Sequence, residues 1–344
     1  MAILELILSI MPLFLCIVLL GKVHFEDDKV TVFGLDDCKI MRGFWCIVVL
    51  LVHVPVRHSN MIQKTVGSLA YIGVTFFFMT SGYGLTLERI KCSRRNFIKG
   101  FWPKRLHKIL ITCLITNITV YLIWGYFIKG ALKPDFLLRI NSWIIWLWVC
   151  YLIFWISNLI SGKEYVWKTL CILFIAIFSG VVYYLNVIGE DTDIVWVTEI
   201  YGFIWGVVLA GVNAKVTSFF KKQWSVKLTI CLFMSFLLGI CKIHFRNSVF
   251  YGDYVLKIML GLMIVVLMLI LNARISLESK IGTILGEISF EFYLIHLWVF
   301  SVVEEIVPDS SSGLYIVLCI IVSALVSYAD HYLIKLLRRL SGVS

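Results

Sequence analysis

Apolar stretches of about twenty residues recur along almost the whole chain, and this recurrence limits the fold more than any other feature. A helix needs about 20 apolar residues to cross a hydrocarbon core of about 30 Å, and inside lipid it must satisfy all its own backbone polar groups. Such stretches stand near residues 2–21, 42–56, 67–87, 107–128, 142–160, 169–187, 194–213, 226–243, 254–272, 283–302 and 314–335. The chain has 344 residues and is 60% hydrophobic, whereas soluble domains are about 45–50% apolar. The connectors are too short to hold a separate soluble domain. The expected fold class is all-α, a polytopic membrane helix bundle of about eleven transmembrane helices. The first stretch lacks a basic leader, carries Glu5 and runs into "GKVHFEDD" without a small-residue cleavage site, so it reads as a retained span rather than a signal peptide.

Basic residues set the expected orientation, because Lys and Arg are retained on the cytoplasmic side. With the N-terminus outside, most of the 31 Lys and Arg residues fall on inner segments, which gives an N-out/C-in topology. The net charge of +10 then needs no nucleic acid, since basic inner loops lie beside anionic lipid. The densest run, "RIKCSRRNFIKGFWPKRLHK", equally suits an anionic cofactor. The ten cysteines are scattered, mostly inside spans, with no C-x-x-C pair and no metal-ligand spacing, so they read as apolar filler and no metal is expected.

Within this apolar background, "MRGFWCIVVLLVHV" keeps Arg42 at its start and His53 near its end. Eleven residues of helix bring the two to within about 20° of one azimuth and about 16 Å apart along the axis. A face carrying both should line a polar cavity, because ionisable groups facing lipid are costly. The plainer alternative has Arg42 snorkelling to the inner surface and His53 satisfied by a neighbouring helix. By height along their helices, His296 and Glu199 fall near the level of His53, and Asn141 and Ser142 open a span on the same outer side. Arg42, Ser81, Glu287, Asp330 and His331 fall near the inner surface. Glu287 and Glu291, four residues apart on one face, are candidates for the counter-charge of Arg42.

These stretches resemble a known family. "MRGFWCIVVLLVHV" resembles the opening Arg-to-His helix of the acyltransferase-3 family of bacterial integral-membrane O-acyltransferases. "VTFFFMTSGYGL" is similar to that family's Phe-Phe-x-x-Ser-Gly helix, and "FWPKRLHKIL" to its basic cytoplasmic motif. "GEISFEFYLIHLWV" resembles its Ile-Ser-Tyr-x-x-Tyr-Leu-x-His signature, while "NSWIIWLWVCYLIFW" and "YGFIWGVVLAG" are weaker echoes. The matches run in family order from about residue 40 to 335. The resemblance implies a ten-helix core over residues 37–344, with residues 1–36 as an added span and cytoplasmic connector. No hydrolase-like extra domain, which some members carry, is expected after this core. One departure stands out: the family's inner motif is often Arg-x-x-Arg, whereas Arg105 is followed by Lys108, which keeps the charge but loses the bidentate fork.

The activity implied is transfer of an acyl group, usually acetyl, from cytoplasmic acyl-CoA to a hydroxyl of a cell-surface polysaccharide or lipid-linked glycan. The setting implied is the bacterial plasma (inner) membrane. Membrane lipids are the other expected partner, and the oligomeric state stays open, a homodimer included. In this reading His53 is the general base, since imidazole suits proton removal from a hydroxyl near neutral pH. Arg94, Arg95, Lys104, Arg105 and Lys108 are available to the CoA phosphates, with Arg42 one step deeper on the arm or the adenosine phosphates. Ser81 and Gly82 give close helix packing along the donor channel. Ser81 and His53 differ in height by more than about 10 Å, so transfer is expected to be direct, without an acyl-serine. Glu199 is expected to orient His53 or to contact the sugar, with His296 as a second polar contact and Asn141 and Trp143 on the sugar side. An aromatic belt at the membrane interface is the plainer reading of Trp143. A flippase or transporter, a polysaccharide polymerase and a non-catalytic scaffold are the rival functions, and dependence on acyl-CoA separates the enzyme from all three.

Overall fold

The computed structural model describes residues 2–128, 132–189 and 196–340. The expected start of the seventh span at 194–195, and residues 129–131 of the connector that precedes Asn141, lie outside the described residues. In chain order the elements are α1 (Ala2–Leu20), β1 (Lys22–Phe25), α2 (Leu35–Val52), α3 (Met61–Gly67), α4 (Ala70–Lys91), α5 (Arg94–Phe127) and α6 (Ser142–Ile160). There follow α7 (Glu164–Ile188), α8 (Tyr201–Lys221), α9 (Trp224–His244), α10 (Lys257–Asn272), β2 (Ile275–Glu278), α11 (Lys280–Glu287), α12 (Ser289–Ile306) and α13 (Ser312–Leu340). The two strands pair antiparallel, Lys22 opposite Glu278 and Phe25 opposite Ile275, and so tie the end of α1 to the α10–α11 connection.

Among the described residues eight helices are long and apolar enough to cross a membrane, or nine if the bent pair α11–α12 counts as one span. The two expected spans outside this set fall on α1, where an apolar helix runs over Ile7–Leu19, and on α2, which carries Asp36, Asp37, Lys39 and Arg42 in its first half. The second expected span also ends early: α2 stops at Val52 and His53 is its C-cap. The carbonyl of Leu50 accepts from the His53 backbone N–H at 3.0 Å, and that of Leu51 accepts from the Gln63 side chain. Gln63 is itself fixed by a capping box with Asn60 at the start of α3.

Two close backbone approaches organise the interior. Without a hydrophobic drive between helices in lipid, small residues that let backbones meet carry much of the packing. A β-carbon on Gly202 or Gly206 of α8 would fall 2.0 or 2.1 Å from the carbonyl oxygens of Thr75 and Met79 on α4. One on Gly82 of α4 would fall 2.3 Å from that of Phe203. Likewise a β-carbon on Gly286 would fall 1.9 Å from the Lys39 carbonyl oxygen, and one on Gly43 2.6 Å from that of Gly282, which presses α11 onto α2. Helices α2, α4 and α12 thereby form the buried centre. By contrast α9 buries only Cys231 and Leu238, and Phe233 and Phe236 stand more than half exposed, as a lipid-facing helix requires.

Candidate active site

The α11–α12 bend, 79° at Ile288, builds the first part of the site. It puts Ser289 beside α2, where the hydroxyl donates to the Gly286 carbonyl at 2.8 Å and accepts from the Arg42 guanidinium at 2.5 Å. Neither expected counter-charge reaches Arg42. Glu287 pairs with Lys39 at 3.1 Å and Glu291 with His331 at 3.1 Å, because the bend turns the two carboxylates toward α2's exposed edge and α13. Among the described residues Arg42 has no ion pair, and its Nε is buried without a hydrogen-bond partner.

Arg42 lines a cavity of about 950 Å³, at the upper end of the usual size for small-molecule sites. Its cations are Lys39, Arg42, Lys104, Arg105, Lys108, Lys335, Arg338 and Arg339, against the carboxylates of Glu88, Glu287 and Glu291. Some of this charge is spent internally. Glu88 takes both Lys104 (3.0 Å) and Arg105, whose guanidinium also lies 4.2 Å from the Phe101 ring centre. Among the described residues Lys108, Lys335 and Arg339 pair with no carboxylate, so the cavity keeps a net positive field. Its walls also include Ser81, Tyr151, Phe290, Trp143 and Tyr293. Trp143 and Tyr293 meet at 5.0 Å between ring centres, and the indole nitrogen of Trp143 is buried without a hydrogen-bond partner.

Beyond Tyr293 lies a histidine pair. The ring of His296 is 5.6 Å from Tyr293 and 5.1 Å from His53, with His296 Nε2 3.3 Å from His53 Nδ1. His53 Nδ1 is also 2.9 Å from the Val49 carbonyl oxygen, and His296 Nδ1 is 3.2 Å from that of Phe292. A carbonyl only accepts, so both Nδ1 atoms carry hydrogen, which assigns the lone pair of His53 to Nε2. His53 is part-exposed while His296 is 1% exposed.

The other expected site residues divide. Ser81, Lys104, Arg105 and Lys108 come together with Arg42 around the cavity, and His53 does not line it. Gly82 faces α8 instead, as its contact with Phe203 shows. Arg94 turns away to cap α6, donating to the carbonyls of Asn158 (3.0 Å) and Leu159 (2.7 Å), and Arg95 is exposed outside the lining. Glu199 does not orient His53: it is 3% exposed and pairs with Lys257 at 2.7 Å, a partner supplied by the start of α10. Asn141 spends its side-chain oxygen capping α6 on the Trp143 N–H at 3.0 Å. Trp143 itself is 5% exposed in the cationic cavity rather than in an outer belt.

Sequence reasoning passed over Lys39, Ser289, Lys335, Arg338 and Arg339 as site residues. The basic end of α13, "KLLRRL", was the available signal, since cations in a last helical turn beside an apolar span mark a charged mouth. Nothing local marks Ser289, whose role depends on the bend.

A family model described as an acyltransferase domain matches residues 35–329. No curated protein and no solved structure matches the chain. The match takes in α2 with Arg42 and His53, the cationic walls from α4 to α6, the α11–α12 bend and most of α13, and the chain therefore belongs to the acyltransferase-3 family.

Proposed function

We propose that this membrane acyltransferase is an O-acyltransferase that moves an acyl group, acetyl in the first instance, from acyl-CoA to a sugar hydroxyl, with His53 as general base. The acceptor is a cell-surface polysaccharide or its lipid-linked precursor, and the setting is the bacterial plasma membrane with the cationic cavity open to the cytoplasm. The observation that carries the reading is the succession along α2 and α12 of a cation-lined cavity, an aromatic wall and a histidine with a free Nε2.

The residues present fit an acyl-CoA donor. Lys108, Lys335 and Arg339, together with Arg42, supply charge for phosphates, and the Trp143 indole N–H is a buried donor in the same cavity. Acyl-CoA supplies the thioester carbonyl and a thiolate leaving group. His53 Nε2 takes the proton of the attacking hydroxyl as the C–O bond forms, and holds it while the C–S bond breaks. The same Nε2–H then delivers the proton to the leaving sulfur, so the cycle ends with neutral imidazole. Arg42, held by Ser289, positions the donor and does not touch the base. No serine nucleophile is needed: Ser81 lies with Arg42 in the cavity, and His53 is outside its lining.

A flippase or polymerase is the competing reading. The purified protein in lipid nanodiscs, given acetyl-CoA and a polysaccharide acceptor, is expected to release free CoA thiol only when acceptor is present. The His53→Ala variant should release about 10²- to 10⁴-fold less. Acceptor transport or elongation with no thiol released would overturn the acyltransferase assignment to glycan.

A further inference from the structure

The histidine pair contains more than a base. His296 is 1% exposed and enclosed by Phe292, Tyr293 and Phe300, and among the described residues no carboxylate stands at ion-pair distance from it. A charged imidazolium has nothing to compensate it there, so the ring is held neutral. Its one hydrogen is on Nδ1, committed to the Phe292 carbonyl at 3.2 Å, one turn back along α12. That leaves Nε2 as an acceptor, and the group 3.3 Å away is His53 Nδ1, which carries a hydrogen shared with the Val49 carbonyl.

We infer that His296 is a positioning residue for the general base: its Nε2 lone pair accepts from the His53 Nδ1–H and holds that ring with Nε2 turned to the reacting hydroxyl. This inference rests on the reading of His53 as the base. The need for such a partner follows from where His53 sits. As the C-cap of α2 it lies past the last helical turn, with the Val49 carbonyl as its other anchor. A single in-helix bond leaves the ring free to swing about it, whereas a second acceptor from α12 fixes the plane. When His53 takes a proton on Nε2, its Nδ1–H becomes a stronger donor, and the neutral lone pair of His296 strengthens its hold without taking the proton. His296 has no onward acceptor for that proton, because its Nδ1–H already faces a carbonyl. The pair therefore orients the base and does not relay the proton.

Three proteins in nanodiscs test this: the native chain, His296→Gln and His296→Phe, each compared at equal folded amount by thermal melting. The Gln side chain can offer an oxygen acceptor near the place of Nε2, and Phe fills the space with no acceptor. The expected result is a kcat about 10- to 100-fold lower for His296→Phe. Its KM for acetyl-CoA should stay within about two-fold, since the donor cavity is elsewhere, and His296→Gln should recover most of the lost kcat. Native kcat in His296→Phe would overturn the inference, as would equal loss in both variants, which would mean that imidazole itself is required. A rise in KM without a fall in kcat would also overturn it, by making His296 a binding contact. If the native chain shows no acyl transfer, it is the underlying functional reading that fails.

Discussion

Arg42 and His53 sit on one helix and are each held by neutral groups: a serine hydroxyl for the guanidinium, a carbonyl and a second imidazole for the base. This leaves the charge of Arg42 for a ligand. Lys108, unpaired among the described residues, serves the same end, so Lys108→Ala should raise KM for acetyl-CoA several-fold with kcat little changed, in steady-state kinetics with varied donor. Because phosphate contacts in an open cavity are screened, that KM should also climb with ionic strength in the native chain and climb less in the variant. The sequence drew attention to Arg42 and His53 because an ionisable group inside an apolar run is costly, and to Lys104 and Lys108 because they lie in its densest basic run; the structure brings Arg42, Lys104 and Lys108 to one cavity and leaves His53 outside its lining. For Glu199 and Asn141 the structure instead shows local partners. Both are polar residues at the right height, but one is neutralised by Lys257 and the other spent on a helix cap. Height along a helix carries no information about a partner from a distant helix.

At the level of elements, the glycine contacts decide how closely α4 meets α8 and α2 meets α11. Gly206→Leu would drive a side chain into the Met79 carbonyl and should cost at least about 1–3 kcal/mol, read as a lower melting temperature in detergent with weaker acyl transfer. The α11–α12 bend was not legible: residues 283–302 read as one straight span, and no proline or glycine stands at Ile288–Ser289. At its α11 side Gly286 lies against the Lys39 backbone, a contact between distant segments that no local pattern announces. The aromatic wall was equally hidden. Tyr293 joins Trp143 in the cavity wall to His296 of the histidine pair, so Trp143→Ala should widen the cavity toward the histidines. The expected outcome is faster acetyl-CoA hydrolysis without acceptor, because water beside the thioester then has the base within reach, measured as thiol release in the absence of glycan.

Across the whole molecule, helical class and membrane character followed from composition, while α2, 18 residues long with Asp36, Asp37, Lys39 and Arg42 in its first half, shows why apolar length alone does not fix the number of spans. The cations of the cavity come from α2, α5 and α13, distant in sequence and gathered at one end, and the proposed orientation turns that end to the cytoplasm. A cysteine replacing Lys335 should then react with a membrane-impermeant maleimide only in inside-out vesicles. Acyl transfer to glycan through His53 would leave its product on the glycan itself. Cells lacking the protein would be given the native chain or His53→Ala at matched membrane levels, and alkali-labile acyl esters on their surface polysaccharide measured by mass. Esters are expected with the native chain and none with His53→Ala. Equal ester content in both, or changed glycan length or export with no ester in either, would contradict it.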